Sequence, residues 1–149
     1  MKHVSAQPMR LLFLLIVASV LLVLVIPRLR GDGQRRKAAM PIAWQAPVEG
    51  RLPAAQGRPT LAYFWATWCG PCQKMNQEVW PDAEVVEEAA PYLAVKIDID
   101  EYPDLARQFS ATATPMMLLI NADGEKVARK IGLREPEELA EWLGKHSGT

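Results

Sequence analysis

Cys69 and Cys72 are the only two cysteines of the 149-residue chain, and they stand two residues apart in Trp68-Cys69-Gly70-Pro71-Cys72. Two thiols at this spacing can close a small disulfide ring and open it again. If a helix starts here, its unpaired N–H groups and positive dipole end favour a thiolate on the first cysteine. Pro71 suits a first helical turn, because proline lacks only an N–H that would have no partner there. The preceding Leu61-Ala62-Tyr63-Phe64-Trp65 reads as a buried strand. Strand, Cys-x-x-Cys and helix in that order point to redox chemistry.

Two other uses of the pair are weaker. A stabilising disulfide gains most by closing a long loop, and a four-residue ring constrains the unfolded chain little. A structural zinc site takes four ligands. No second Cys-x-x-Cys follows, and His3 and His146 lie near opposite ends of the sequence. Met75, Met116 and Met117 could offer soft thioethers to Cu(I), but methionines in a helix and a strand are ordinary packing residues. Neither a metal nor a cofactor is expected.

The charges divide the chain. Residues 1–37 hold seven of its 17 Lys/Arg and one of its 17 Asp/Glu, so the remainder carries ten bases against sixteen acids. An acidic domain offers no basic stripe to nucleic acid. Within the basic part, Leu11–Ile26 is sixteen uncharged, almost wholly aliphatic residues. As a helix this run is about 24 Å long, which Arg10 and Arg28 can extend by snorkelling toward the roughly 30 Å of a bilayer core. A cleaved signal peptide is the rival reading, but Pro27-Arg28-Leu29-Arg30 is bulky and basic where small residues would mark cleavage. The expected organisation is a basic tail over 1–10, a transmembrane anchor over 11–27, a basic linker over 28–40 and a domain over 41–149. The positive-inside count places that domain in the cytoplasm. A short basic head followed by an apolar run places it outside, as in an export signal.

Within the domain, periodicity and turn signals predict an edge strand at Ile42–Trp44 and a short helix at Leu52–Gln56. Strands follow at Leu61–Trp65, Leu93–Ile97, Met116–Ile120 and Lys126–Ile131, the last two joined by a turn at Asn121–Gly124. Helices are expected from Cys72 to about Trp80, over Ala83–Ala90 with Asp82 as its cap, over Pro103–Phe109, and over Glu135–Leu143 with Pro136 leading. Strands alternating with helices and ending in a hairpin describe an α/β fold with a mixed sheet. Trp65 is expected to be core beneath the cysteines, and Trp44 and Trp142 to be core or edge packing.

Over roughly residues 41–145 the chain resembles the thioredoxin-like family. The resemblance rests on Phe64-Trp65-Ala66-Thr67-Trp68-Cys69-Gly70-Pro71-Cys72, Val95–Asp100, Thr114-Pro115 and Asp123-Gly124. Lys74-Met75, Glu78-Val79-Trp80, Asp82 and Val85 are more similar to the C-terminal domain of membrane thiol:disulfide interchange proteins and their single-domain relatives. Those relatives are often tethered to a membrane and face an extracytoplasmic space, which favours a single-pass inner-membrane protein with a periplasmic domain. The resemblance implies a thioredoxin fold and a cis bond before Pro115. It also implies a Thr114 backbone that pairs with an extended peptide.

The implied activity is reduction of protein disulfides. Cys69 attacks the substrate disulfide, and Cys72 then attacks Cys69 and releases the reduced substrate. Gly70 and Pro71 between the cysteines imply, again by resemblance, a reductant rather than an oxidant. Trp68 is expected as a flat apolar rim, although a surface-packed tryptophan is an alternative. The implied partners are a disulfide-containing protein and a separate redox protein that regenerates the pair. Two departures stand out: Tyr63 replaces a buried Asp of thioredoxins, and Asn76 replaces an acid of the interchange domains. Lys96 matches the lysine beside the missing Asp. Either its charge favours thiolate on Cys72, or the ammonium reaches water and has no role. The competing functions are a tethered binding or chaperone module with incidental cysteines, and a cytoplasm-facing thioredoxin.

Overall fold

The apolar run before the cysteines forms strand β1, Thr60–Trp65, in a computed structural model that describes residues 41–148. The expected tail, anchor and linker lie outside the described residues. Among the described residues, no helix is long and apolar enough to cross a membrane. Helix α1, Gly70–Lys74, follows β1 and passes directly into a π turn, Met75–Val79. Then come α2 (Ala83–Ala89), β2 (Leu93–Asp98), α3 (Pro103–Gln108), β3 (Met116–Ile120), β4 (Lys126–Ile131) and α4 (Pro136–His146).

The sheet order is β2-β1-β3-β4. β1 runs parallel to β2 and antiparallel to β3, and β3 is antiparallel to β4 with a bulge at Leu119/Ile120. Successive strand residues point to opposite faces, so β1 serves two cores. Leu61 and Tyr63 join Met117, Leu119 and residues of the π turn, α2 and α4. Ala62 and Phe64 join Met116, Leu118, the β2 residues Val95 and Ile97, and Leu105 of α3. Burial on both faces is why β1 and β3 read as continuous apolar runs without polar alternation. The methionines are divided by the same rule: Met75 and Met117 lie in one core and Met116 in the other, all with no exposed surface.

Local signals account for several boundaries. The Asp82 carboxylate accepts from the N–H groups of Glu84 at 2.9 Å and Val85 at 3.4 Å, which caps α2 as the sequence suggested. Asn121 Oδ1 accepts from the N–H groups of Asp123 and Glu125, closing the turn between β3 and β4. α4 starts at Pro136 as expected and runs one turn further, to His146.

Two expected elements are absent. Leu52–Gln56 is not a helix. Leu52 precedes a proline, which disfavours its helical conformation, and both Gln56 (φ 52°) and Gly57 (φ 78°) are left-handed. Ile42–Trp44 is not a strand either. Its neighbour Gln45 makes a single parallel bridge to Val95, with Gln45 N–H donating to Ala94 C=O and Lys96 N–H donating to Gln45 C=O, both at 2.9 Å. Pro47, two residues on, has no N–H with which to continue the ladder. The segment is therefore a strap across the open edge of β2, fixed at one residue.

Candidate active site

β1 ends at Trp65, and Ala66–Trp68 carries the chain to Cys69, the N-cap of α1. Cys69 Sγ accepts from the Cys72 N–H at 3.2 Å, and Cys69 C=O accepts from Gln73 N–H at 3.1 Å. The first cysteine thus occupies the positive end of the helix, where a thiolate is favoured. The two cysteines form a disulfide with their Cα atoms 5.2 Å apart. Cys69 is 4% exposed and Cys72 has no exposed surface. Pro71 lies in the first turn, as expected. A Cβ placed on Gly70 would meet nothing within 4 Å, so the loop faces open space at that residue.

Trp68 is 66% exposed, and its indole N–H donates to Asp100 Oδ2 at 2.7 Å. The turn after β2 thereby holds the rim of the disulfide. Gln73 Nε2 donates to Thr67 C=O at 2.9 Å and braces the same loop from the helix side. The Thr114–Pro115 bond is cis. Register pairs Phe64 with Met116, so Pro115 comes next to the end of β1 from which the cysteine loop departs. Its C=O accepts from Gly132 N–H at 2.8 Å.

Lys96 stands opposite Tyr63 across β2 and β1. Its ammonium lies 4.2 Å from the centre of the Trp65 ring and 5.8 Å from that of Tyr63, and it donates to Asn76 Oδ1 at 3.0 Å. Burial lowers its pKa. Tyr63 is wholly buried, and its hydroxyl donates to Cys72 C=O at 3.4 Å. Burial raises the phenol to about 12; the nearby Trp80 indole pulls it slightly back without making a hydrogen bond of normal geometry. The structure thus brings Trp68, Gly70 and Pro71 together at the cysteine loop, with Pro115 at the same end of the sheet, whereas Lys96 contacts Trp65 and Asn76 rather than either cysteine.

Sequence reasoning singled out Asn76 only as a departure, although its spacing of four from Cys72 places it one turn along. It gave Asp100 no role beyond its place in the Val95–Asp100 match, because its partner is 32 residues away. It treated Trp44 only as packing.

Among the described residues no three His, Cys, Asp or Glu side chains gather as metal ligands. A Cys-x-x-Cys disulfide at a helix N-terminus, its first cysteine capping the helix and its second without exposed surface, on an α/β sheet with a cis-proline at the same end, defines a thiol:disulfide oxidoreductase. Comparison with known proteins agrees. The family described as Thioredoxin-like domain matches residues 52–147, and the chain belongs to it. The thioredoxin of Listeria monocytogenes is 42% identical over 87 residues, covering 58% of this chain and 81% of that protein. The thioredoxin of Chlamydia muridarum is 36% identical over 87 residues, covering 58% and 80%. Among solved structures, a mutant thioredoxin from Halobacterium salinarum is 29% identical, covers 74% of this chain and 96% of that one, and superposes with a TM-score of 0.58. The DsbD C-terminal domain of Neisseria meningitidis shares the fold at 21% identity, covering 59% and 79% with a TM-score of 0.53.

Proposed function

We propose that this protein is a membrane-anchored reductase of protein disulfides in which Cys69 is the attacking thiol and Cys72 the resolving one. The carrying observation is the asymmetry of the pair: Cys69 caps the helix beside the exposed Trp68, and Cys72 is sealed one turn inside. Cys69 thiolate attacks a substrate disulfide, forms a mixed disulfide and expels one substrate thiolate. Cys72 gives up its proton and attacks Cys69, which re-forms the Cys69–Cys72 bond and releases the second thiolate. Trp68 and the open space at Gly70 form the contact rim, with Pro71 setting the loop. Among the described residues the Thr114 N–H and C=O have no backbone partner, which suits an extended substrate segment pairing beside Pro115. Lys96 supports the buried thiol with its charge.

The anchor rests on the apolar run Leu11–Ile26. The periplasmic side rests on the resemblance to tethered interchange domains, and a C-terminal reporter active in only one compartment decides it. For the chemistry, the full chain carrying Cys72→Ser accumulates covalent adducts with a disulfide-containing protein, whereas Cys69→Ser does not. Equal trapping by both would overturn the roles. A reduction potential near or below about −250 mV makes the pair an electron donor; one near or above about −180 mV makes it an oxidant or isomerase.

A further inference from the structure

Where the strap leaves β2, the edge of the sheet keeps an unfilled pairing position. The N–H groups of Leu93 and Ile99 donate to Pro59 and Trp65 C=O, so the odd-numbered residues of β2 face β1. Backbone groups alternate in direction along a strand, which turns those of Ala94, Lys96 and Asp98 toward the open edge. There Gln45 takes Ala94 C=O and Lys96 N–H, and Tyr102 N–H donates to Asp98 C=O. Among the described residues, Lys96 C=O and Asp98 N–H have no backbone partner. With Gln45 opposite Val95 in a parallel bridge, these are the two groups that residue 47 would pair with if the strap continued. Residue 47 is proline and has no N–H to give. A solvent-open cleft of about 250 Å³ lies at the same place, its lining including Trp44, Trp65, Lys96, Asp98, Glu101 and Tyr102. That is below the roughly 300–1,000 Å³ of small-molecule sites, and it suits a side chain carried on an extended backbone.

We propose that this stretch of β2 is a docking site for an extended, basic segment of a partner protein. One residue of the segment bridges the edge: its N–H donates to Lys96 C=O, and its C=O accepts from Asp98 N–H, as when a strand is added to a sheet. Charge selects a basic segment. Asp98 and Glu101 place two carboxylates at the cleft, and among the described residues neither forms an ion pair. Lys96, the cation of the lining, is turned to Asn76 Oδ1 and the Trp65 ring. Trp44 and Tyr102 add ring faces on which a guanidinium or ammonium can rest. The cleft flanks the end of β1 from which the cysteine loop departs, since Asp98 pairs with Trp65. Thr114-Pro115 leads into β3, on the other side of β1. A partner held at the β2 edge therefore leaves the Pro115 side of the loop open to a disulfide. The inference goes beyond disulfide reduction and does not depend on which cysteine attacks.

The test uses the full chain with its disulfide closed and a labelled, cysteine-free peptide that alternates threonine with arginine. Saturable binding is expected by fluorescence anisotropy, together with slower hydrogen exchange of the Asp98 amide by NMR. The double variant Asp98→Asn, Glu101→Gln keeps the side-chain shapes and leaves residue 98 an oxygen for the Asp100 N–H, which Asp98 Oδ1 accepts at 3.0 Å. It is expected to bind about tenfold more weakly, the order set by two partly exposed ion pairs. The same peptide with glutamate in place of arginine is expected not to bind. Absence of saturable binding, equal binding of the acidic peptide, unchanged affinity in the double variant, or an Asp98 exchange rate that the peptide does not slow overturns the proposal. So does an Asp98 amide already protected without peptide. Protection that rises with protein concentration would mean a second copy covers the edge, and protection independent of it would mean the chain's own upstream segment does. A peptide without cysteine takes no part in disulfide exchange, so its failure to bind leaves the trapping result and the exchange reaction standing.

Discussion

Replacing Tyr92 with phenylalanine is expected to destabilise the domain by an amount that disappears in alkali. Tyr92 is 3% exposed, and its hydroxyl donates to the Leu143 carbonyl at 2.7 Å. Leu143 lies in the last turn of α4, where the N–H of Ser147 turns to Gly144 C=O. Tyr92 thus caps a helix carbonyl from 51 residues away. Leaving that buried acceptor unpaired costs about 1–3 kcal/mol. The titration of the phenol sets the pH range of the effect. Burial, then the nearby Glu88 carboxylate, raises Tyr92 from 10.0 to about 12. Two units correspond to at most about 2.7 kcal/mol, less after solvent screening. A pKa raised on folding means the folded state holds its proton more tightly between pH 10 and 12. This contribution is complete below pH 10 and is lost as pH rises through about 12. Denaturant unfolding of Tyr92→Phe and the parent chain, followed by circular dichroism, should therefore differ at pH 8 and converge toward pH 12. Equal stability at pH 8, or a difference constant through pH 12, would refute the reasoning. Disulfide exchange at pH 7 should be unchanged, because the residue caps α4 and has no part in the cysteine loop.

Asp82→Ala removes both hydrogen bonds that cap α2 and should cost about 1 kcal/mol, seen as a fall of a few degrees in Tm. Lys96→Met should change the slope of stability against pH. The folded pKa of Lys96 lies below 10.5, so the parent sheds part of a burial cost as pH climbs toward that value and gains on the variant; a parallel pH dependence would contradict it. Asp100→Ala should free the Trp68 indole at a stability cost below about 1 kcal/mol, since the bond is exposed. Lower fluorescence anisotropy of Trp68 and slower reduction of a protein disulfide are the expected readouts, and unchanged rates would remove Asp100 from the site.

The parts of this fold that depend on neighbours in sequence were legible in advance. The cap at Asp82, the turn closed by Asn121 and the two-sided apolar strands each follow from residues a few positions apart. The reactive pair was legible for the same reason, because strand, Cys-x-x-Cys and helix are contiguous. The cis bond at Pro115 was reached by resemblance alone, since spacing does not distinguish the isomers. The π turn gave no signal: its extra residue, seen in the Trp80 N–H bond to Met75 C=O, follows no rule of composition. Long-range polar pairs were equally silent. Trp68 with Asp100 and Lys96 with Asn76 are set by which strands adjoin and which turn lies above them. At Ile42–Trp44 local apolarity suggested a strand, whereas the edge accepts only Gln45.

The direction of that strap has a consequence for how the domain is held. It runs parallel to β2, so Pro41 and Ile42 lie beside Arg58, Tyr92 and Leu93, at the start of the strands, whereas Cys69 follows the end of β1. A six-residue strand is about 20 Å long. The chain therefore enters the domain at the pole opposite its disulfide. Whatever grips the polypeptide upstream of Pro41 holds it by its base, and a pull on the chain is resisted by the Gln45 bonds and the Trp44 ring before it reaches the thiols.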